Sequence, residues 1–82
     1  MRMMRILFAP AALAALQGLP PEDAARVRHA LVGLARDQTE CRRRRYHQTQ
    51  LWGFLLPGTD LLVLWEVHDD SSILVHYVGP DL

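Results

Sequence analysis

The sequence predicts one α+β domain over residues 1–82, ordered β-α-α-β-β-β, with a twisted antiparallel sheet of about four strands and two helices packed on one face. Three observations predict it. Apolar residues recur at three- and four-residue steps from Ala24 to Leu34, the period of a helix. After residue 50 the pattern changes to three short runs rich in Val, Leu, Ile and aromatics. Turn-forming clusters, Pro57-Gly58-Thr59-Asp60 and Asp69-Asp70-Ser71-Ser72, separate those runs.

The first element is a strand over Met3–Phe8, short, apolar and β-leaning. Arg2 and Arg5 ahead of an apolar run imitate a secretory signal, but Pro10 interrupts the run, which is also too short to span a bilayer. A strand followed by a short helix accounts for it better. That helix covers Ala11–Gln17, with Leu13 and Leu16 on one face and Gly18 offering a left-handed stop. Pro20-Pro21-Glu22-Asp23 starts the second helix, because proline suits the first turn and acids face the positive end of the helix dipole. Its stripe is Ala24, Val27, Leu31 and Leu34, its solvated face carries Arg26, Arg28, His29 and Arg36, and it fades near Asp37–Thr39.

Three strands follow, Leu51–Leu56, Leu61–Val67 and Ile73–Val78. Leu61-Leu62-Val63-Leu64-Trp65 is apolar at both parities, so that strand is expected at the centre of the sheet. Its second side then needs cover, and an apolar surface left bare there is expected to bind a partner.

Charge narrows the functional classes. The formal net charge is zero, which disfavours a protein working mainly by long-range attraction to nucleic acid. All nine cations are arginines, however, and four run together as Arg42–Arg45, so a local basic patch exists within a neutral chain. A lone cysteine, Cys41, rules out an intrachain disulfide and suits a reducing cytoplasm. The four histidines and Cys41 lack zinc-ligand spacing, so neither metal nor cofactor is expected.

The stretches ILFAPAALAALQGLPPEDAARVRHALVGLA and PGTDLLVLWEVHDDSSILVHYVG resemble the RelE/ParE superfamily of toxins from type II toxin–antitoxin modules. The first resembles that family's opening strand, small helix and proline-started long helix. The second resembles its hairpin-rich ending. The resemblance implies a small cytoplasmic toxin, without a membrane segment, neutralised by a cognate antitoxin protein that wraps around it, the assembly being a homodimer or a toxin–antitoxin hetero-oligomer. It implies either a ribosome-dependent mRNA endoribonuclease or a non-catalytic ParE-like inhibitor of DNA gyrase. A toxin fold that has lost activity and survives as a protein-interaction module is a further alternative.

The chain departs from the family at the positions that carry chemistry. The basic pair that the resemblance implies before the first hairpin falls on Gly53 and Leu55, and the arginine after the turn falls on Leu62. The closing basic phrase reads Gly79-Pro80-Asp81, and the family's late tyrosine has no counterpart among the 82 residues. Judged by deletions of oxyanion-type donors, each lost donor costs about 3–4 kcal/mol of transition-state stabilisation. An active nuclease would therefore need a relocated site.

The arginine run is the first candidate for it. In an extended chain Arg43, Arg45 and His47 project to one side, where two guanidinium groups and an imidazole could clamp a phosphate and move a proton. Arg42, Arg44 and Tyr46 project to the other and, with Trp52 and Trp65, could contact nucleic acid or antitoxin. The plainer reading is a solvated edge or a seat for an acidic partner segment, with the tryptophans in a core. Glu66, His68 and His76 are secondary candidates: Glu66 and His68 share a parity, and both histidines lie on neighbouring strands of one hairpin. Ordinary polar positions at a sheet rim would look the same. Cys41, beside arginines that could lower its pKa, lacks a paired base.

Overall fold

The structure, a computed structural model, describes residues 3–36 and 51–80 together with the backbone of residues 44–46. Strand β1 (Arg5–Phe8) leads through Ala9 into helix α1 (Pro10–Gln17) and then helix α2 (Pro21–Arg36). Strands β2 (Arg44–Tyr46), β3 (Leu51–Leu55), β4 (Leu61–Asp69) and β5 (Ser72–Pro80) complete the order. The predicted α+β class and element order are therefore present, with one strand more than expected. The sheet has five strands in the order β1-β5-β4-β3-β2.

Pairing within the sheet is mixed. The β2-β3-β4-β5 meander is antiparallel, whereas β1 runs parallel to β5, with Ile6 opposite Ile73 and Phe8 opposite Val75. The reason is the count of reversals: after the two helices β2 runs opposite to β1, and three further reversals through β3 and β4 bring β5 to the β1 edge in β1's own direction. β4 is central, as its two-sided apolar sequence predicts.

Local chemistry explains the helix ends. Pro10 and Pro21 stand in the first turns of α1 and α2, where a missing N–H costs nothing, and Glu22 and Asp23 face the α2 dipole. Gly18 does not adopt the expected left-handed stop; at φ −85° it extends the last turn, its N–H shared between the Ala14 and Ala15 carbonyls. The left-handed glycine is instead Gly58, at φ 77° in the β3–β4 turn. There the Thr59 hydroxyl donates to the Leu56 carbonyl at 3.0 Å and accepts the Leu61 N–H at 3.1 Å.

One core lies between the helices and the sheet. Ala12 and Leu16 of α1, with Ala24, Val27, Leu31 and Leu34 of α2, pack on Phe54, Val63, Trp65, Ile73, Val75 and Val78. At about 25 cal/mol per Å² of apolar area, burying each of these larger side chains contributes about 1.5–3 kcal/mol. The helix stripe read from sequence is thus the buried stripe.

Candidate functional site

The sheet face turned away from the helices is set by ladder register. Gly53 pairs with Leu64 and Leu64 with Tyr77; Leu55 pairs with Leu62 and Leu62 with Gly79. The positions at which the resemblance implies cations, Gly53, Leu55 and Leu62, therefore meet on one patch of this open face. In this chain the patch is apolar. It is also less bare than the sequence suggests: Leu62 is fully buried and Leu64 nearly so, while Leu55 stays 42% exposed.

Tyr77 supplies part of that cover. Its hydroxyl donates to the Pro80 carbonyl at 2.8 Å, so the ring lies along its own strand across Gly79. A Cβ on Gly79 would come 2.8 Å from the Tyr77 hydroxyl oxygen. The missing side chain at Gly79 leaves the space the ring occupies beside the row of Leu62.

Beside this patch lies the most closely coupled ionisable pair among the described residues. His76 Nε2 sits 2.8 Å from Glu66 Oε1, with the two side chains 34% and 45% exposed. A register shift creates the arrangement. Leu64 pairs with Tyr77 but Trp65 pairs with Val75, so His76 is an extra residue, bulged out of the ladder. Strict alternation would put Tyr77 and His76 on opposite faces; the bulge brings both to the open one. Sequence parity coupled Glu66 to His68, but the partner is His76 across the hairpin, and His68 stands exposed beside a second register shift, between Val67 and Asp69. The signal available in the sequence was only the hairpin itself. A bulge leaves no residue signature here.

At the hairpin's end, the Asp69 carboxyl is held down at about 2 by the Ser72 hydroxyl, the Ser71 backbone N–H at 2.8 Å and the Ser71 hydroxyl at 3.2 Å. The Ser71 contacts have hydrogen-bond geometry. The buried Ser72 hydroxyl stands near the carboxylate without forming such a bond.

The remaining sequence candidates divide by place. Arg42, Arg43, His47 and Cys41 lie outside the described residues. Arg44 pairs with Gly53, in the row of Leu64 and Tyr77, and Tyr46 pairs with Leu51. Arg45 pairs with Trp52, in the row of Trp65, which belongs to the helix side. Trp65 is fully buried in the core and has no ring face to offer a base; Trp52 is half-buried against the same core. Among the described residues no group of three His, Cys, Asp or Glu side chains could hold a metal ion, and no helix is long and apolar enough to cross a membrane.

On the helix side, a groove of about 350 Å³ runs between α1, α2 and β1. Met3, Leu13 and Val32, three of the large apolar residues left exposed, line it with Arg28. None of its lining residues is acidic.

The whole arrangement matches solved structures. The chain superposes on a chain of the intact E. coli RelBE toxin–antitoxin complex with a TM-score of 0.79, over 94% of this chain and 95% of that one, at 18% identity. The fold is RelE-like. The archaeal RelE–RelB complex from Pyrococcus horikoshii OT3 gives a TM-score of 0.66 over 96% of both chains, again at 18% identity. No protein-family model matches the sequence, and no curated protein does. The RelE-like fold is thus carried by backbone and core, with little of the sequence shared.

Proposed function

We propose that this protein is the toxin of a type II toxin–antitoxin pair, acting in the cytoplasm as an mRNA endoribonuclease on the ribosome, through a site on its open sheet face that differs from the family's usual one. The observation that supports the toxin reading is the RelE-like fold spanning 94% of the chain, since the matching structures are toxin–antitoxin complexes. The Glu66–His76 pair beside the implied catalytic patch favours cleavage. Arg44, the ladder partner of Gly53, brings a cation back to the row from which the sequence has removed one. Arg43, Arg45 and His47 remain candidates from the same run only for a site elsewhere, since Arg45 pairs with Trp52 in the helix-side row and Arg43 and His47 lie outside the described residues.

The antitoxin's seat in this reading is the helix-side groove. An amphipathic segment could bury the exposed Met3, Leu13 and Val32, and acidic residues on it would meet Arg28. A second reading, a gyrase inhibitor or an inactive interaction module, draws on a different observation: Gly53, Leu55 and Leu62 are all uncharged, so the patch suits protein contact better than phosphate.

Induction of the gene alone in a bacterial host tests these readings. Growth arrest with codon-phased mRNA cuts is the expected result. Arrest with intact messages and lost DNA supercoiling would replace the nuclease by the gyrase inhibitor. No arrest would overturn the toxin reading.

A further inference from the structure

The Glu66–His76 pair has a chemistry that its geometry restricts. With His76 Nε2 2.8 Å from Glu66 Oε1, the carboxylate accepts the Nε2 proton and fixes the neutral ring in the tautomer whose Nδ1 carries the lone pair. Among the described residues no serine, threonine or cysteine joins the pair, so it supplies a base and no nucleophile. A base without a protein nucleophile acts either on water or on a nucleophile that the substrate carries, and the nuclease reading above selects the second. An RNA phosphodiester carries one, in the 2′-hydroxyl beside the scissile phosphate. The pair is also reachable, both side chains being a third or more exposed, and it sits at a bulge, a device that re-aims a side chain out of the ladder.

We propose that His76 is the general base of an RNA-cleaving site on the open face, with Glu66 positioning it. This rests on the nuclease reading above and assigns its proton transfer. Nδ1 takes the 2′-hydroxyl proton; the 2′-oxygen bonds to phosphorus; the bond from phosphorus to the 5′-oxygen breaks, and that oxygen takes a proton from water. The products are a 2′,3′-cyclic phosphate and a 5′-hydroxyl, and the imidazolium returns its proton to solvent. Neither oxidant nor metal is required for balance. Arg44 lies in the row of Gly53, Leu64 and Tyr77, with β3 and β4 between it and Tyr77, the residue next to His76 along β5. Substrates lacking the 2′-hydroxyl are inert to this site.

The test uses the full chain with ribosomes and an end-labelled mRNA, compared with the 2′-O-methyl form of the same message. His76→Gln should lower the cleavage rate about 100-fold or more, the usual worth of a positioned base. Glu66→Gln should lower kcat about tenfold or more with KM unchanged, because it leaves a hydrogen-bond partner and removes the charge that steadies the ring. His76→Gly should regain activity with added imidazole, a rescue that a purely structural pair would not give. His29→Gln on α2 is the control and should cut normally, and thermal melts confirm that each variant is folded. Wild-type rates in His76→Gln or Glu66→Gln, cleavage of the 2′-O-methyl message, or products ending in 3′-hydroxyls would overturn the assignment. Growth arrest without any RNA cleavage overturns it too, yet leaves the toxin reading standing; absence of arrest overturns the toxin reading, while cleavage of purified RNA still decides the base.

Discussion

Gly79 and Tyr77 show how much one residue decides on the open face. The tyrosine ring reaches the Pro80 carbonyl only because position 79 has no Cβ, and the ring in turn helps keep Leu62 from water. Gly79→Ala should therefore push the ring away, break its hydrogen bond and expose apolar surface, at a cost of about 1–2 kcal/mol. Tyr77→Phe, which loses an exposed hydrogen bond alone, should cost less than about 1 kcal/mol. The two sites touch, so they should be coupled: in a Tyr77→Ala background, Gly79→Ala should be close to neutral. Chemical denaturation of the four proteins in the cycle measures this. Additive costs would mean that the ring does not depend on the glycine. The sequence offered Gly79 only as the glycine that opens a phrase whose basic residues are replaced by Pro80 and Asp81; its packing role depends on a ring two residues upstream, which no spacing rule exposes.

At the scale of elements, the turn joining β4 and β5 carries a titration. The Asp69 carboxyl, ordinarily near 3.8, is lowered to about 2 by the Ser72 hydroxyl and the Ser71 contacts. Its folded value lies below its unfolded one, so the stabilisation is complete above pH 3.8 and disappears as pH falls through about 2. The Ser71 amide should accordingly shift in an NMR titration with a midpoint near 2, and Asp69→Asn should remove that transition; a midpoint at the ordinary value would mean the contacts do not form in solution. The turn itself was legible, because Asp-Asp-Ser-Ser between two apolar runs has few other readings. So were both helices, whose proline starts and apolar stripe are local signals. Ladder events were not: the parallel β1–β5 pairing joins segments distant in sequence, while the His76 bulge and the short β2 strand are matters of register within local hairpins that alternation does not encode. The candidate site suffered most from this, since Glu66 meets His76 only through a register shift that alternation cannot foresee.

Across the whole molecule, two surfaces lie on opposite sides of one sheet and should be separable. The open face carries the Glu66–His76 pair with exposed Leu55; the helix side carries the groove with exposed Leu13 and Val32. If the first acts on the target and the second seats the antitoxin, charge placed on each should have opposite consequences. Val32→Glu puts a carboxylate among apolar groove residues that an incoming acidic segment must cover, and should weaken neutralisation by about 2 kcal/mol or more, roughly thirtyfold in affinity, while leaving toxicity intact. Leu55→Glu puts like charge beside any RNA phosphate and should reduce toxicity while leaving neutralisation intact. Both positions are already about two-fifths exposed, so neither change should cost more than about 1 kcal/mol of fold stability. Growth assays with and without the antitoxin, read beside thermal melts, give the four outcomes. A Val32→Glu protein that is still fully neutralised would move the antitoxin to the open face. The same strands would then have to bind target and inhibitor by direct competition, with no division of labour between the two sides of the sheet.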